Sequence, residues 1–396
     1  MRFLLPLLLA AACKPSGTLS TTASNDDTDG GSATADGPFW GLVNHRLEVF
    51  LEDGADDSLR QDPFRYVHAD IVIDGVEYGD VGFRVKGGYG SFREWGTGEK
   101  NAFILDMNLF VDGQDHQGMN KLVVNNMVQD PSFLHEYTGY SLFRELGLPA
   151  SRTSFSEVRI DDRKMGLYTF IEPNDANDFL EDHFGNDDGD VYEGAYGADL
   201  WQLAMWEMDH DNGEDTELNH LYNLVNALDA IPPDTDPYPT LQEHFDMPAY
   251  VLFAATELYM GHWDGYAWTT NNYKIHRDED GLWTFIPWGL DQTFGDWLGD
   301  RAGVLPEPGA EAWLGRIHQM CLASEGCRAD LADAFEVVIE TAAQMNLRAE
   351  AEACDALVSD FRTEEEWANH TAAWTFDFID LRGEAIRQWL PCLRGC

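Results

Sequence analysis

Positive charge is what this chain has least of. Its 396 residues include only six lysines, and Lys and Arg together number 25 against 71 Asp and Glu, a formal net charge of −46. A surface this negative offers no cationic footprint to replace phosphate counterions, which argues against nucleic acid as a partner. A polyphosphate ligand would need a local cluster of cations, or a metal, within a negative protein. Long apolar runs are missing as well: beyond the first dozen residues none could cross a bilayer as a helix. There is no clear repeat at solenoid periods. No His-Glu-x-x-His and no Gly-x-Ser-x-Gly occurs, so the usual zinc-peptidase and serine-hydrolase signatures are absent. Cysteine is scarce and has no Cys-x-x-Cys spacing, which disfavours a zinc site.

What is present begins with an export signal over residues 1–12. Arg2 supplies a short positive start, an apolar run follows, and Ala10, Ala11 and Ala12 precede Cys13. A small-residue run ending in Cys resembles a bacterial lipobox, in which Cys13 is lipidated; the alternative is an ordinary signal peptide cut nearby. Contact with a membrane is then expected only through that lipid anchor. The remainder of the 13–37 segment is rich in Ser, Thr, Gly and Asp with little to bury, and reads as a flexible tether. The other cysteines are Cys321, Cys327, Cys354, Cys392 and Cys396. An exported chain permits disulfides, and we expect a stapled C-terminal tail with Cys321 and Cys327 near enough to close a small loop.

The folded part divides by its patterning. Short β-branched or alternating runs at 69–73, 81–85, 102–107, 121–124, 156–160 and 167–171 predict strands, with Asp74-Gly75 and Asp112-Gly113 as turns. Between them Asp130 and Pro131 read as the start of a helix carrying Phe133, Tyr137, Tyr140 and Phe143, stopped by Gly147. After Glu172 helices are expected at 176–183, 218–230, 248–260, 329–345 and 364–390, with one hairpin of 273–276 and 283–286. The expected class is α+β, with a β-rich N-terminal lobe (38–175) and a mainly helical C-terminal lobe (176–396).

Three stretches can carry chemistry. The first is FRVKGGYGS, followed by Lys100; Arg84, Lys86, Arg93 and Lys100 concentrate positive charge there. Glycines let backbone N–H groups approach a phosphate, although, taken alone, these residues read more readily as a glycine-rich hairpin with its cations paired to carboxylates. The second, GHWDGYAWTTNNY, holds Asp264 and Asn272. The third, FIPWGLDQTFG, holds Asp291. A hairpin between the last two can bring Asn272 and Asp291 together with Asp264 near them. Two hard oxygen ligands suit Mg²⁺, and a further carboxylate can orient an attacking hydroxyl. The runs at 187–190 and 209–213 look calcium-like but lack Gly at the sixth position of an EF-hand loop.

These stretches, with the blocks KLVVNNMVQDPSFLHEYTGYSLFRELGLPASRT, GLYTFIEPNDANDFLEDHFG and NNYKIHRDEDGLWTFIPWGLDQTFG, resemble the CotH (spore coat protein H) kinase family of secreted atypical protein kinases. The similarity covers about 84–295. The resemblance implies a two-lobed, reduced kinase-like fold that uses ATP with Mg²⁺ or Mn²⁺ and phosphorylates Ser or Thr of protein acceptors. It implies Asp264 as the catalytic-loop carboxylate, and Asn272 and Asp291 as metal ligands. Lys100 and Arg84 would contact ATP phosphates, Glu136 would pair with Lys100, and Glu172 would lie beside the nucleotide. A surface adhesion or structural protein that keeps the fold without the chemistry is the alternative.

Overall fold

The computed structural model of the chain describes residues 39–295, 314–362 and 372–395. The export segment, Cys13, the tether and Cys396 lie outside them. Seven strands close into a barrel in the order β1-β2-β3-β4-β5-β7-β6. They are β1 (Asn44–Leu51), β2 (Val67–Ile73), β3 (Val76–Lys86), β4 (Ala102–Asp106), β5 (Lys121–Asn125), β6 (Thr153–Ile160) and β7 (Arg163–Ile171). Side chains alternate across each strand, so Val81, Phe83 and Val85 of β3, Phe103 and Leu105 of β4, and Leu122 and Val124 of β5 fall into one buried cluster. Their neighbours Arg84, Lys86, Ile104, Lys121, Val123 and Asn125 share the opposite face.

The six expected strands are all present. The seventh, β1, was not legible: it pairs antiparallel with β2 and parallel with β6, Leu47 opposite Val158, and this long-range pairing closes the barrel. The Asp74-Gly75 turn between β2 and β3 has both residues left-handed, at φ 49° and 85°, which suits the twist of a hairpin. Asp74 also accepts the Arg46 N–H at 2.8 Å, tying the turn to β1.

A short helix, α1 (Ala55–Gln61), lies between β1 and β2, and one buried helix, α2 (His135–Glu145), packs against β6. It starts four residues later than its sequence suggests, because Phe133 sits at φ 64° and breaks the helical path. Asp130 still caps this entry, accepting the N–H groups of Ser132 at 2.9 Å and His135 at 2.8 Å.

The second half is built around a helix buried nearly all round, Met247–Met260. Before it come α3 (Asn177–Phe184), α4 (Asn219–Asp229) and α5 (Tyr238–His244), which makes it α6. Asp246 caps its start by accepting the Ala249 N–H at 3.1 Å. After it follow α7 (Tyr266–Thr269), α8 (Arg316–Ala323), α9 (Glu325–Gln344), α10 (Leu347–Val358), α11 (Ala372–Arg387) and α12 (Leu390–Leu393). The expected hairpin is present as β10 (Tyr273–Arg277) and β11 (Trp283–Pro287). It belongs to a four-stranded sheet, order β11-β10-β8-β9, with β8 (Asp190–Gly194) and β9 (Met208–Asn212). Tyr273, Ile275 and Phe285 pack from this sheet onto Tyr250, Phe253 and Tyr266 in the largest core. Cys321 and Cys327 form a disulfide joining α8 to the start of α9, as their spacing suggested. Ser324 between them accepts the Cys327 N–H, which is why α9 begins at Glu325. Cys354 is buried without a disulfide. The calcium-like runs have structural partners: Asp190 accepts the N–H groups of Glu214 and Asp215 and sits 2.8 Å from His220 Nδ1.

Candidate active site

A cleft of about 1780 Å³ opens between the outer face of the barrel and the four-stranded sheet. Its barrel wall carries Arg84 and Lys86, two residues apart on β3 and therefore on one face, continued by the glycine turn 87–90. Gly87 and Gly90 adopt φ 118° and 88°, and a Cβ at Gly90 would stand 2.7 Å from the Gln129 side chain. The sheet wall carries Glu193, Asp209, Asp211 and Lys274, with Lys274 directly opposite Glu193 in the β10–β8 register. Lys274 Nζ lies 2.7 Å from Asp211, 3.3 Å from Glu193 and 3.8 Å from Asp175. Burial works against its charge, but these three carboxylates outweigh burial and hold its pKa above the usual lysine value. Asp211 in turn is raised to about 6 by burial, against the pull of Lys274. Both lysines lie against the Trp288 indole, with Lys86 Nζ 5.2 Å and Lys274 Nζ 5.1 Å from its ring centre.

At the floor, two loops and α2 bring three carboxylates together. Asp264 follows α6 and accepts hydrogen bonds from Asn272 Nδ2 at 2.9 Å and Gln292 Nε2 at 3.0 Å, which ties it to the residue beside Asp291. Asp291 is held through its backbone: His135 Nδ1, on α2, lies 2.8 Å from its carbonyl oxygen. Leu290 contacts α2 where Gly139 leaves room, since a Cβ there would meet Leu290 Cδ1 at 3.0 Å. Glu136, the next residue of α2, accepts from Asn125 Nδ2 of β5 at 2.7 Å, while its Oε2 has no hydrogen-bond partner among the described residues.

The electrostatics follow from this crowding. Burial, reinforced by the carboxylates of Glu136, Asp130 and Asp264, raises Asp291 well above the usual range. Burial raises Glu136 to about 7, with Lys86 the strongest opposing influence. It also raises Asp264, against its two neighbouring asparagine amides. The Lys86 ammonium is pushed down by burial and supported by Glu136, Glu193 and Asp291. None of Glu136, Asp264 and Asp291 forms a salt bridge among the described residues. A site gathering three acids with one nearby ammonium has an unmet demand for positive charge.

The family model described as CotH kinase protein matches residues 83–389, which span both walls of this cleft. The chain belongs to the CotH kinase protein family. Among curated proteins it is similar to inner spore coat protein H of Bacillus subtilis (strain 168), 23% identical over 203 residues, covering 48% of this chain and 55% of that protein. It is also similar to spore coat protein homolog 1 of Rhizopus delemar, 23% identical over 196 residues, covering 46% of this chain and 32% of that protein. The chain thus spans about half the length of the first relative and about a third of the second.

Within this CotH chain, five of the residues singled out in the sequence line the one cleft: Arg84, Glu136, Asp264, Asn272 and Asp291. Two do not. Lys86, not Lys100, is the lysine beside Glu136. Lys86 closes β3 opposite Ala102, and the strand's parity turns it to the cleft. Lys100 falls before β4, and its Nζ sits over the rings of Phe133 and Tyr168 at 4.9 and 5.0 Å. Glu172 does not line the cleft either. It is buried against Arg152, accepting its backbone N–H at 2.9 Å and its Nε at 3.0 Å. Lys274, Trp288, Gln292 and His135 were missed. For Lys274 a signal existed: a lysine between Tyr273 and Ile275 in a strand expected to pack on the core needs an acidic partner if it is buried.

Proposed function

We propose that this protein is a metal-dependent phosphotransferase that moves the γ-phosphoryl group of ATP to Ser or Thr hydroxyls of exported or surface proteins. The observation that carries this reading is the convergence of Asp264, Asn272, Gln292 and Asp291, with Lys86 and Glu136, in one cleft. The barrel with α2 would correspond to the N-terminal lobe of a kinase and the remainder to the C-terminal lobe. The acids fit a divalent cation, because Glu136 and Asp291 are buried and Asp264 partly so, and they repel one another without salt bridges among the described residues. Asp291 and Asn272 would hold Mg²⁺ or Mn²⁺, which supplies neutralisation of phosphate charge when bound.

Lys86 is the phosphate-binding cation of this reading, with Arg84 two residues behind it on the same face. Glu136 supports the Lys86 charge across the cleft without a salt bridge to it. Asp264, its oxygen fixed by two amide donors, orients the acceptor hydroxyl and takes its proton; burial raises its pKa and so its basicity. Catalysis rests on positioning and charge neutralisation. The names of the relatives support a surface location, as does the export signal.

Labelled ATP with a generic protein acceptor tests this. Incorporation by the native chain, abolished in Asp291→Ala, is expected. Equal incorporation by both, or none by the native chain with Mg²⁺ or Mn²⁺, refutes the assignment. The second outcome leaves a kinase-like surface protein, a reading favoured by the extreme negative charge, which opposes ATP capture.

A further inference from the structure

The loop that carries Asp264 is fastened from beneath by a buried carboxylate. Glu257 lies in the last turn of α6 and is 0% exposed. Its Oε1 accepts the N–H of Tyr266 at 3.1 Å and its Oε2 the N–H of Ala267 at 2.9 Å. No Lys or Arg among the described residues acts on it. A buried acid without a cationic partner is costly to keep, and packing alone does not account for it. The two amides it satisfies are the second and third after Asp264.

The surrounding contacts leave this loop one path. A Cβ at Gly265 would stand 2.5 Å from Glu257 Oε1 and 2.5 Å from His262 Cδ2, so only glycine admits the carboxylate beneath the chain. The His262 N–H donates to the Glu257 carbonyl at 2.9 Å, fastening the loop's other end to the same residue. Tyr266 is then fixed by Asp199, which accepts its hydroxyl at 3.1 Å. Across the cleft floor, the Phe294 N–H donates to the Met260 carbonyl at 2.7 Å, anchoring the Asp291 loop to the same helix end. The C-terminal turn of α6 is therefore the common base from which Asp264 and Asp291 project.

We infer that Glu257 is a positioning residue: through the N–H groups of Tyr266 and Ala267 it sets where the Asp264 carboxylate stands relative to Asp291. This rests on the phosphotransfer reading for its catalytic consequence, and on geometry alone for the clamp itself. Glu257→Gln keeps the volume but can accept through one oxygen only; Glu257→Ala accepts none.

The experiment combines steady-state phosphotransfer from ATP with hydrogen–deuterium exchange on the full folded chain. For Glu257→Gln, kcat per folded molecule is expected to fall by about a hundredfold, the penalty typical of a small misplacement. The KM for ATP should stay within about twofold, because the phosphate-binding face is untouched. Exchange should accelerate over residues 262–270 and stay native elsewhere. Glu257→Ala should extend the trend if it folds; if it does not, the glutamine variant decides. A lowered melting temperature with unchanged kcat overturns the inference, as does unchanged exchange at 262–270. If the native chain transfers no phosphate, the kinase reading fails separately. The clamp then stands if the exchange change in Glu257→Gln is confined to that loop, and falls if it is spread through the core.

Discussion

Replacing Glu136 with glutamine should make the protein more stable and less active at once. Glu136 is 3% exposed, and burial raises its pKa from 4.5 to about 7. Ionising it in the folded chain is therefore harder than in the unfolded one. Its contribution to stability is fully present below about pH 4.5 and is lost as pH rises through about 7. At ~1.4 kcal/mol per pH unit, the loss across that window is of order 3 kcal/mol. Glutamine keeps the Oε1 that accepts from Asn125 and cannot ionise. The variant should match the native chain near pH 4.5 and exceed it by up to ~3 kcal/mol near pH 8. Urea unfolding at half-unit intervals from pH 4.5 to 8.5 measures this, and phosphotransfer on the same samples should fall at least tenfold because Lys86 loses the carboxylate that most supports its charge. Parallel stability curves for the two proteins would show that Glu136 is not a buried, raised acid, and the electrostatic description of the cleft would fail with it.

Lys86→Met should raise the KM for ATP about tenfold or more, the cost of a charge-assisted contact, whereas Lys100→Met should leave it within about twofold; the reverse order would restore Lys100 as the phosphate ligand. Gly289→Ala should cut activity sharply with a modest loss of stability. Its φ is +58°, and the new Cβ would stand 2.8 Å from the Asn272 carboxamide that braces Asp264. Native kinetics in that variant would mean that Asn272 is not held where the cleft geometry requires it.

Much of this was legible because local rules and the global fold agree. The Asp74-Gly75 turn, the alternation in β3 and β4, and the capped core helix each announce themselves within a few residues. The carboxylate floor was legible for the same reason: a hairpin between Asn272 and Asp291 returns the chain to its starting point, wherever the sheet lies. What was hidden depends on pairing over long distances. β1 is an unremarkable alternating segment until β6 lies beside it in parallel. The choice between Lys86 and Lys100 turns on the β3–β4 register, which places Lys86 opposite Ala102 and leaves Lys100 short of the strand; a one-residue change in register would exchange faces. Glu172 directly follows β7, near the expected position, but Arg152, brought alongside by the β6–β7 pairing, claims its carboxylate. Glu257 looks like an ordinary helical glutamate, since its role depends on a loop that folds back nine residues later.

The most direct measurement is anomalous diffraction from crystals grown with Mn²⁺ and a non-hydrolysable ATP analogue. A manganese peak between Asp291 and Asn272, with the triphosphate reaching Lys86, is the expected result. Nucleotide bound elsewhere, or a cleft that takes up neither metal nor nucleotide at saturating concentration, would contradict the account.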